Sequence, residues 1–274
     1  MISQCADGEF GTLYGDPEPG CGKRLRHHSY TNKLRNDAIP NSRMIPLRDD
    51  QPRFSTPYVT YFLIAINLLI YYGQFMLSPY SERSLIYEFG LIPARLVAVA
   101  SGVTQVPVAT AVLPVFTSMF LHGSWMHVIG NMWFLWIFGD NIEDHLGHFP
   151  YLVFYLLSGV TAALAQVALS PDSRLPTVGA SGAIAGVLGA YFLLYPKARV
   201  LTWFPLIFFF YVPAWLWLGF WFVTQFISGT ITSGAAASQR GGVAFWAHVG
   251  GFIAGVLLIK VFPERPRRYR YGTW

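Results

Sequence analysis

The chain has 274 residues, of which 53% are hydrophobic and only 12% are charged, and its formal net charge is +5. A soluble domain usually carries about 25% charged residues, so this composition excludes an ordinary soluble protein and predicts an integral membrane protein. Most of the 19 Lys and Arg residues lie towards the two ends of the chain. We therefore interpret the positive charge as a consequence of membrane topology and not as evidence for nucleic-acid binding.

The first 43 residues are polar, rich in Gly and Pro, and without the apolar core of a signal peptide. We expect a flexible polar extension here, with Met44 as an alternative start. The extension contains both cysteines, Cys5 and Cys21, which are too few for a structural zinc site. A transmembrane domain is predicted to follow over residues 44–262, and a basic cytoplasmic tail over residues 263–274.

Six apolar segments in this domain approach the length of about 20 residues that crosses a bilayer core, although the second is shorter. They predict an all-α membrane protein with six transmembrane helices, at Tyr58–Leu77, Ser124–Phe138, Phe149–Leu169, Thr177–Tyr195, Val200–Ile227 and Val243–Phe262. The intervening stretch Leu96–Leu121 is broken by Pro and Gly. We expect its first part to be a loop that lies in or against the outer surface of the membrane.

The placement of Lys and Arg predicts the orientation of these helices. With both termini in the cytoplasm, 15 of the 19 basic residues fall in cytoplasmic segments, as the positive-inside tendency requires. We therefore expect a multi-pass protein of the cell (inner) membrane with cytoplasmic termini. The second, fourth and sixth helices then run from outside to inside.

Polar side chains within membrane spans are costly and usually functional. His127 and Asn131 lie in the second span, Ser181 in the fourth and His248 in the sixth. Each occurs early in its helix, so the four side chains share one layer, which begins roughly 5 to 8 Å below the outer ends of these helices. Three further amides are interpreted as interhelical hydrogen-bonding groups: Asn67, Gln166 and Gln225.

Small residues predict which of these helices approach each other. Gly182 and Gly186 lie four residues apart on the fourth helix, next to Ser181. The sixth helix has two glycines with the same spacing within AHVGGFIAG (residues 247–255), on the side that carries His248. Faces of small residues allow helix backbones to approach closely in lipid. We expect their contact to bring the serine hydroxyl within hydrogen-bonding reach of the imidazole.

A serine hydroxyl beside an imidazole is an activated nucleophile, because the imidazole can take the hydroxyl proton during attack on a carbonyl. No carboxylate lies at this depth in the sequence, so the predicted centre has two members, Ser181 and His248. The oxyanion formed by attack needs donors, which His127, Asn131 and the backbone N–H of Ser181 can supply. The pattern predicts acyl transfer.

Three motifs resemble the signature motifs of the rhomboid intramembrane serine proteases, and they occur in the same order. They are HGSWMHVIGN (residues 122–131), GASG (residues 179–182) and AHVGG (residues 247–251). Each motif alone is weak, but all three on the expected spans form a specific signal. The resemblance covers about residues 44–262 and implies a rhomboid-like six-helix bundle with a membrane-associated first loop.

The resemblance also implies roles for individual residues. Ser181 would be the nucleophile and His248 the base of a serine endopeptidase, with His127 and Asn131 stabilising the oxyanion. Residues bordering the site would be His122, Gly179 and Ala180. The implied partners are transmembrane protein substrates and the lipid bilayer, with no soluble cofactor and no metal. The fourth helix would be short and begin near the nucleophile.

The fifth span is dominated by bulky residues and offers little surface for close helix packing. We therefore treat it as a candidate lateral gate for substrates, with Pro213 as the site of a bend.

Three other functions compete with this interpretation. A metal enzyme or metal transporter built on His122, His127 and His248 lacks an HExxH motif and a carboxylate at that depth. A solute carrier is disfavoured because no inverted repeat is evident. A catalytically silent rhomboid-like binder or chaperone of membrane proteins is disfavoured because both Ser181 and His248 are present.

Overall fold

The computed structural model describes residues 45–104, 107–204, 208–232 and 243–265. The described residues are mostly helical. Their helices are α1 (Tyr58–Phe75), α2 (Pro79–Phe89), α3 (Pro93–Ala100), α4 (Val108–Thr117), α5 (Trp125–Leu146), α6 (His148–Leu169), α7 (Ser181–Leu194), α8 (Ala214–Thr232) and α9 (Phe245–Leu258). The predicted extension over residues 1–43, Met44 and most of the basic tail lie outside the described residues.

Among the described residues, three helices are long and apolar enough to cross a membrane, namely α1, α6 and α8. A fourth crossing is formed if Val108–Phe120 and Trp125–Leu146 are counted as one span bent by 74°. The apolar helices α7 and α9 have 14 residues each, or about 21 Å at 1.5 Å per residue, against roughly 30 Å for a bilayer core. A helix lies in each of the six predicted positions, but in the described part of the chain only three to four spans meet the criterion of length and composition.

The prediction of an all-α chain is wrong in one respect, because the described residues also contain a three-stranded antiparallel sheet. Its strands are β1 (Ile45–Asp49), β2 (Arg199–Phe204) and β3 (Phe208–Pro213), in the order β1-β2-β3. The register places Ile45 opposite Trp203 on one side of β2 and Arg199 opposite Pro213 on the other. The sheet thus joins the start of the described chain to the segment between α7 and α8.

The predicted fifth span, Val200–Ile227, is consequently wrong in its first part, since α8 begins only at Ala214. Pro213 ends β3 and does not bend a helix. The error has a physical cause: aromatic and β-branched residues satisfy a hydropathy criterion and also favour strands. Pairing with β1, which is distant in sequence, stabilises the strand conformation.

The connection between α1 and α5 contains short helices where part of it was expected to be an irregular loop. Helices α2 and α3 both carry Pro in their first turn, at Pro79 and Pro93, where the missing N–H would have no helical partner in any case. Pro114 lies inside α4. The association of this connection with the membrane remains a prediction.

Helix α7 forms the centre of the bundle, and every residue from Gly182 to Tyr191 is buried. A Cβ atom on Gly251 would lie 2.1 Å from the Gly182 carbonyl oxygen, and one on Gly255 would lie 1.9 Å from the Gly186 carbonyl oxygen. The predicted glycine contact between the fourth and sixth helices is therefore confirmed. A further close approach, of Gly189 to the Phe252 backbone, was not predicted.

The turn between α5 and α6 lies at the same end of the bundle as the sheet. The buried Glu143 carboxylate accepts hydrogen bonds from the backbone N–H groups of Val59 (2.9 Å) and Thr60 (2.7 Å), at the start of α1. The N–H of Arg265, after α9, donates to the His145 carbonyl at 2.8 Å. Both ends of the described chain thus lie on the same side of the bundle.

Candidate active site

Ser181 is the first residue of α7, and the segment before it is held in place by neighbouring loops. Leu91 and Thr177 exchange two backbone hydrogen bonds, of 3.0 and 2.7 Å, and the Gly179 N–H donates to the Ser118 carbonyl at 2.8 Å. These bonds keep residues 177–180 out of the helix. The predicted fourth span therefore begins four residues too early, at Thr177, although the expectation of a short helix beginning near the serine is confirmed.

His248, the fourth residue of α9, faces this serine. Its Nε2 lies 2.8 Å from the Ser181 Oγ, and its Nδ1 lies 2.7 Å from the Gln225 Oε1 on α8. Because an amide oxygen can only accept, this contact assigns the imidazole proton to Nδ1 and leaves Nε2 to accept from the serine hydroxyl. This is the tautomer that a general base requires. His248 is buried, whereas Ser181 is partly exposed.

His127 and Asn131 converge on the backbone just before the serine. Gly179 has φ +129°, and a Cβ atom there would lie 2.7 Å from the His127 Nε2 and 3.5 Å from the Asn131 Nδ2. The start of α5 is fixed by Ser124, whose Oγ accepts from the His127 N–H at 3.2 Å. The structure therefore brings together the four polar residues that the sequence analysis placed in one layer.

His122 is fully buried beside this group. The Asn131 Nδ2 donates to its Nε2 at 3.0 Å, and the two imidazole rings of His122 and His127 pack with centroids 5.1 Å apart. The Gln74 side chain holds the His122 backbone on both sides, accepting from its N–H at 3.1 Å and donating to its carbonyl at 3.2 Å. His122 thus links α1 to the amide of Asn131.

The start of α7 provides backbone donors at the same place. Ala180, which precedes the helix, is buried and gives no side-chain cap. The first N–H groups of a helix have no partner within it, and together with the helix dipole they favour negative charge. The N–H of Ser181 belongs to this set. The site therefore combines side-chain and backbone donors next to the hydroxyl.

The interpretation of the three remaining amides was partly correct. Gln166 accepts from the Ala247 N–H at 3.1 Å and Gln225 bonds to His248, so both link different helices. Asn67 instead donates to the Leu63 carbonyl, one turn earlier on its own helix, at 2.7 Å. The sequence analysis missed that Gln225 contacts the site, and it did not identify Gln74. An amide side chain in an apolar helix is easily found in the sequence, but the spacing of residues along the chain does not predict which group on another helix it bonds to.

This arrangement has the parts that acyl transfer needs. A hydroxyl donates to an imidazole in the correct tautomer, and hydrogen-bond donors lie beside the same backbone segment. Such donors lower the energy of an oxyanion when they are fixed before reaction.

Comparison with known proteins adds independent information. The Rhomboid domain matches residues 109–265, which is more than half of the chain and includes all three motifs.

Several relatives carry rhomboid names. Rhomboid protein 1, mitochondrial, of Saccharomyces cerevisiae is 31% identical over 175 residues, which cover 60% of this chain and 48% of the yeast protein. Rhomboid-like protein 11, chloroplastic, of Arabidopsis thaliana is 25% identical over 84% of this chain and 74% of its own length. Rhomboid protease GluP of Bacillus subtilis is 30% identical over 51% of this chain and 24% of its own length. The chain thus spans about half of the yeast protein and a quarter of the Bacillus one.

Proposed function

The chain belongs to the rhomboid family of membrane proteins, and on this basis we propose that it is an intramembrane serine endopeptidase. Its substrates would be the transmembrane segments of other membrane proteins. The observation that carries the proposal is the 2.8 Å contact between the Ser181 hydroxyl and the His248 imidazole. The name of the Bacillus relative, a rhomboid protease, supports the same activity.

In the proposed first step, the Ser181 Oγ attacks the carbonyl carbon of the scissile peptide bond. Its proton passes to the Nε2 of His248, and the carbonyl π electrons move to the oxygen to give a tetrahedral oxyanion. The protonated imidazole then donates this proton to the leaving nitrogen as the C–N bond breaks. The products of this step are a free amine and an ester on Ser181.

The ester is hydrolysed by the same groups acting on water. The neutral imidazole of His248 removes a proton from a water molecule, whose oxygen attacks the ester carbonyl. Collapse of the second oxyanion returns the proton to the Ser181 oxygen and releases a carboxylic acid.

The oxyanion in both steps would be stabilised by His127, Asn131 and the N–H of Ser181. Asn131 has two N–H donors on Nδ2, one of which bonds to His122, so the second is available for the substrate oxygen. His122 would therefore serve to position this amide. Gly179 and Ala180 border the site, directly before the partly exposed Ser181.

We further infer six membrane crossings, with both termini on the cytoplasmic side of the cell (inner) membrane. The two described ends of the chain lie on one side of the bundle, which requires an even number of crossings. Lys197 and Arg199 lie on that side with the sheet, while Arg95 and Arg174 lie near the opposite end. Helix α7 can be short because its residues from Gly182 to Tyr191 are buried within the bundle and do not face lipid.

An intact substrate helix resists cleavage because its backbone carbonyl groups are hydrogen-bonded within the helix and its side chains shield the peptide bonds from the nucleophile. Substrates are therefore expected to contain Gly, Pro or polar residues that loosen the helix near its outer end.

Cleavage of a transmembrane reporter protein in proteoliposomes tests the proposal. Ser181→Ala and His248→Ala should each abolish cleavage, and Asn131→Ala should reduce it by about 10- to 1000-fold. Ser158→Ala, which removes a hydroxyl from a buried serine on α6, is a matched control that should cleave normally. All variants should retain the melting temperature of a folded protein.

The rival function, a catalytically silent binder of membrane proteins, gives a different result. In that case the wild-type protein would retain the reporter in a complex without producing fragments. Equal cleavage by wild type and Ser181→Ala would contradict the assignment of the nucleophile.

A further inference from the structure

His248, the base of the proposed site, also contacts α8, a helix that carries neither Ser181 nor His248. Gln225 on α8 is 5% exposed and His248 is 8% exposed, and the two side chains are joined by a hydrogen bond of 2.7 Å from Nδ1 to Oε1. The other ring nitrogen faces Ser181 at 2.8 Å. Both nitrogens of the imidazole are thereby engaged, and neither partner is a carboxylate.

A second side chain of α8 packs against the same ring. Trp221 lies one turn before Gln225, and its ring centroid is 5.7 Å from that of His248, with 35° between the ring planes. Residues four apart share a helix face. Helix α8 therefore contacts the imidazole through two side chains, Trp221 and Gln225.

The hydrogen bond has two consequences for a base at this position. It favours the tautomer with the proton on Nδ1, so that the lone pair of Nε2 points to Ser181. It also strengthens when the ring becomes an imidazolium, because hydrogen bonds to charged groups are stronger than neutral ones. A neutral amide oxygen provides this acceptor.

We propose that Gln225 is the positioning residue for His248, in the place that an orienting carboxylate occupies in a three-residue centre. This inference rests on the proposed protease function. The residue acts through the imidazole and touches no substrate atom in this scheme. Removing its acceptor should therefore slow the chemical step while leaving substrate binding intact.

The test compares Gln225→Leu, Gln225→Glu and the wild-type protein in proteoliposomes. Two quantities are measured: kcat and KM for a transmembrane reporter, and the rate at which a fluorophosphonate probe labels Ser181. Gln225→Leu should lower kcat and the labelling rate by about 10- to 100-fold with KM unchanged. Gln225→Glu retains an acceptor of the same length and should restore most of the lost rate.

Asn67→Leu is the matched control, because it removes another buried amide from a helix without contacting the site. It should leave kcat unchanged. The positioning role is overturned if Gln225→Leu has the kcat and labelling rate of the wild type. It is also overturned if the Leu and Glu variants lose the same activity together with their melting temperature, since packing alone would then explain the loss. Failure of the protease function itself is recognised separately, by equal fragment production from wild type and Ser181→Ala.

Discussion

At the scale of single residues, Gly179 determines how the proposed oxyanion donors meet the backbone. Its φ of +129° lies where residues with side chains are strained, and a Cβ atom would lie 2.7 Å from the His127 Nε2. Gly179→Ala should displace this imidazole and lower kcat by about 100-fold. The measurement is reporter cleavage at saturating substrate, together with the melting temperature.

The control for this change is Gly123→Ala, because no atom lies within 4 Å of a Cβ at Gly123. It introduces the same methyl group in the loop before α5 and should leave kcat unchanged. Full activity in Gly179→Ala would show that the position of His127 is unimportant for the reaction.

The residues of the site were predictable to different degrees. Ser181, His127, Asn131 and His248 could be found because hydrophilic side chains are rare in apolar spans, and because the three short motifs contain them. The role of Gln225 could not be found, since its partner depends on how α8 rotates against α9. The positive φ of Gly179 could not be found either, because it occurs in a loop whose N–H bonds to the distant Ser118 carbonyl.

At the scale of helices, the contact between α7 and α9 depends on the absence of side chains. A Cβ atom on Gly255 would lie 1.9 Å from the Gly186 carbonyl oxygen, which belongs to the backbone and cannot move aside. Gly255→Ala should force the helices apart and cost about 1–3 kcal/mol of stability. It should lower both the melting temperature and the rate of reaction of Ser181 with a fluorophosphonate, because α9 carries His248.

Gly73→Ala provides the comparison, since a Cβ at Gly73 in α1 meets nothing within 4 Å. Alanine favours helices over glycine, so this variant should be at least as stable as the wild type. An undiminished melting temperature in Gly255→Ala would contradict the close approach of the two helices.

The helices were more predictable than the strands. Long apolar runs indicated the positions of six of the described helices, and glycine spacing indicated the close approach of α7 and α9. The pairing of β1 with β2 was not predictable, because it joins residues that are about 150 positions apart. Phe208 to Tyr211 lie in the paired strand β3 but match the composition of a membrane helix, so hydropathy alone assigned them to the fifth span.

At the scale of the whole molecule, two series of hydrogen bonds lead to the site from two different helices, α1 and α8. One runs from Gln74 on α1 through His122 to Asn131. The other runs from Gln225 on α8 through His248 to the serine hydroxyl. Helices α1 and α8 therefore contribute to the geometry of the site, in addition to α5, α7 and α9, which carry its four polar residues.

The central claim is that Ser181 is a nucleophile activated by His248. The most direct measurement is labelling of the purified protein with a fluorophosphonate probe, followed by mass-spectrometric mapping of the modified residue in wild type and His248→Ala. The account predicts modification of Ser181 in the wild type and almost none in the variant. Modification of a different residue, or labelling of Ser181 at the same rate in His248→Ala, would contradict it.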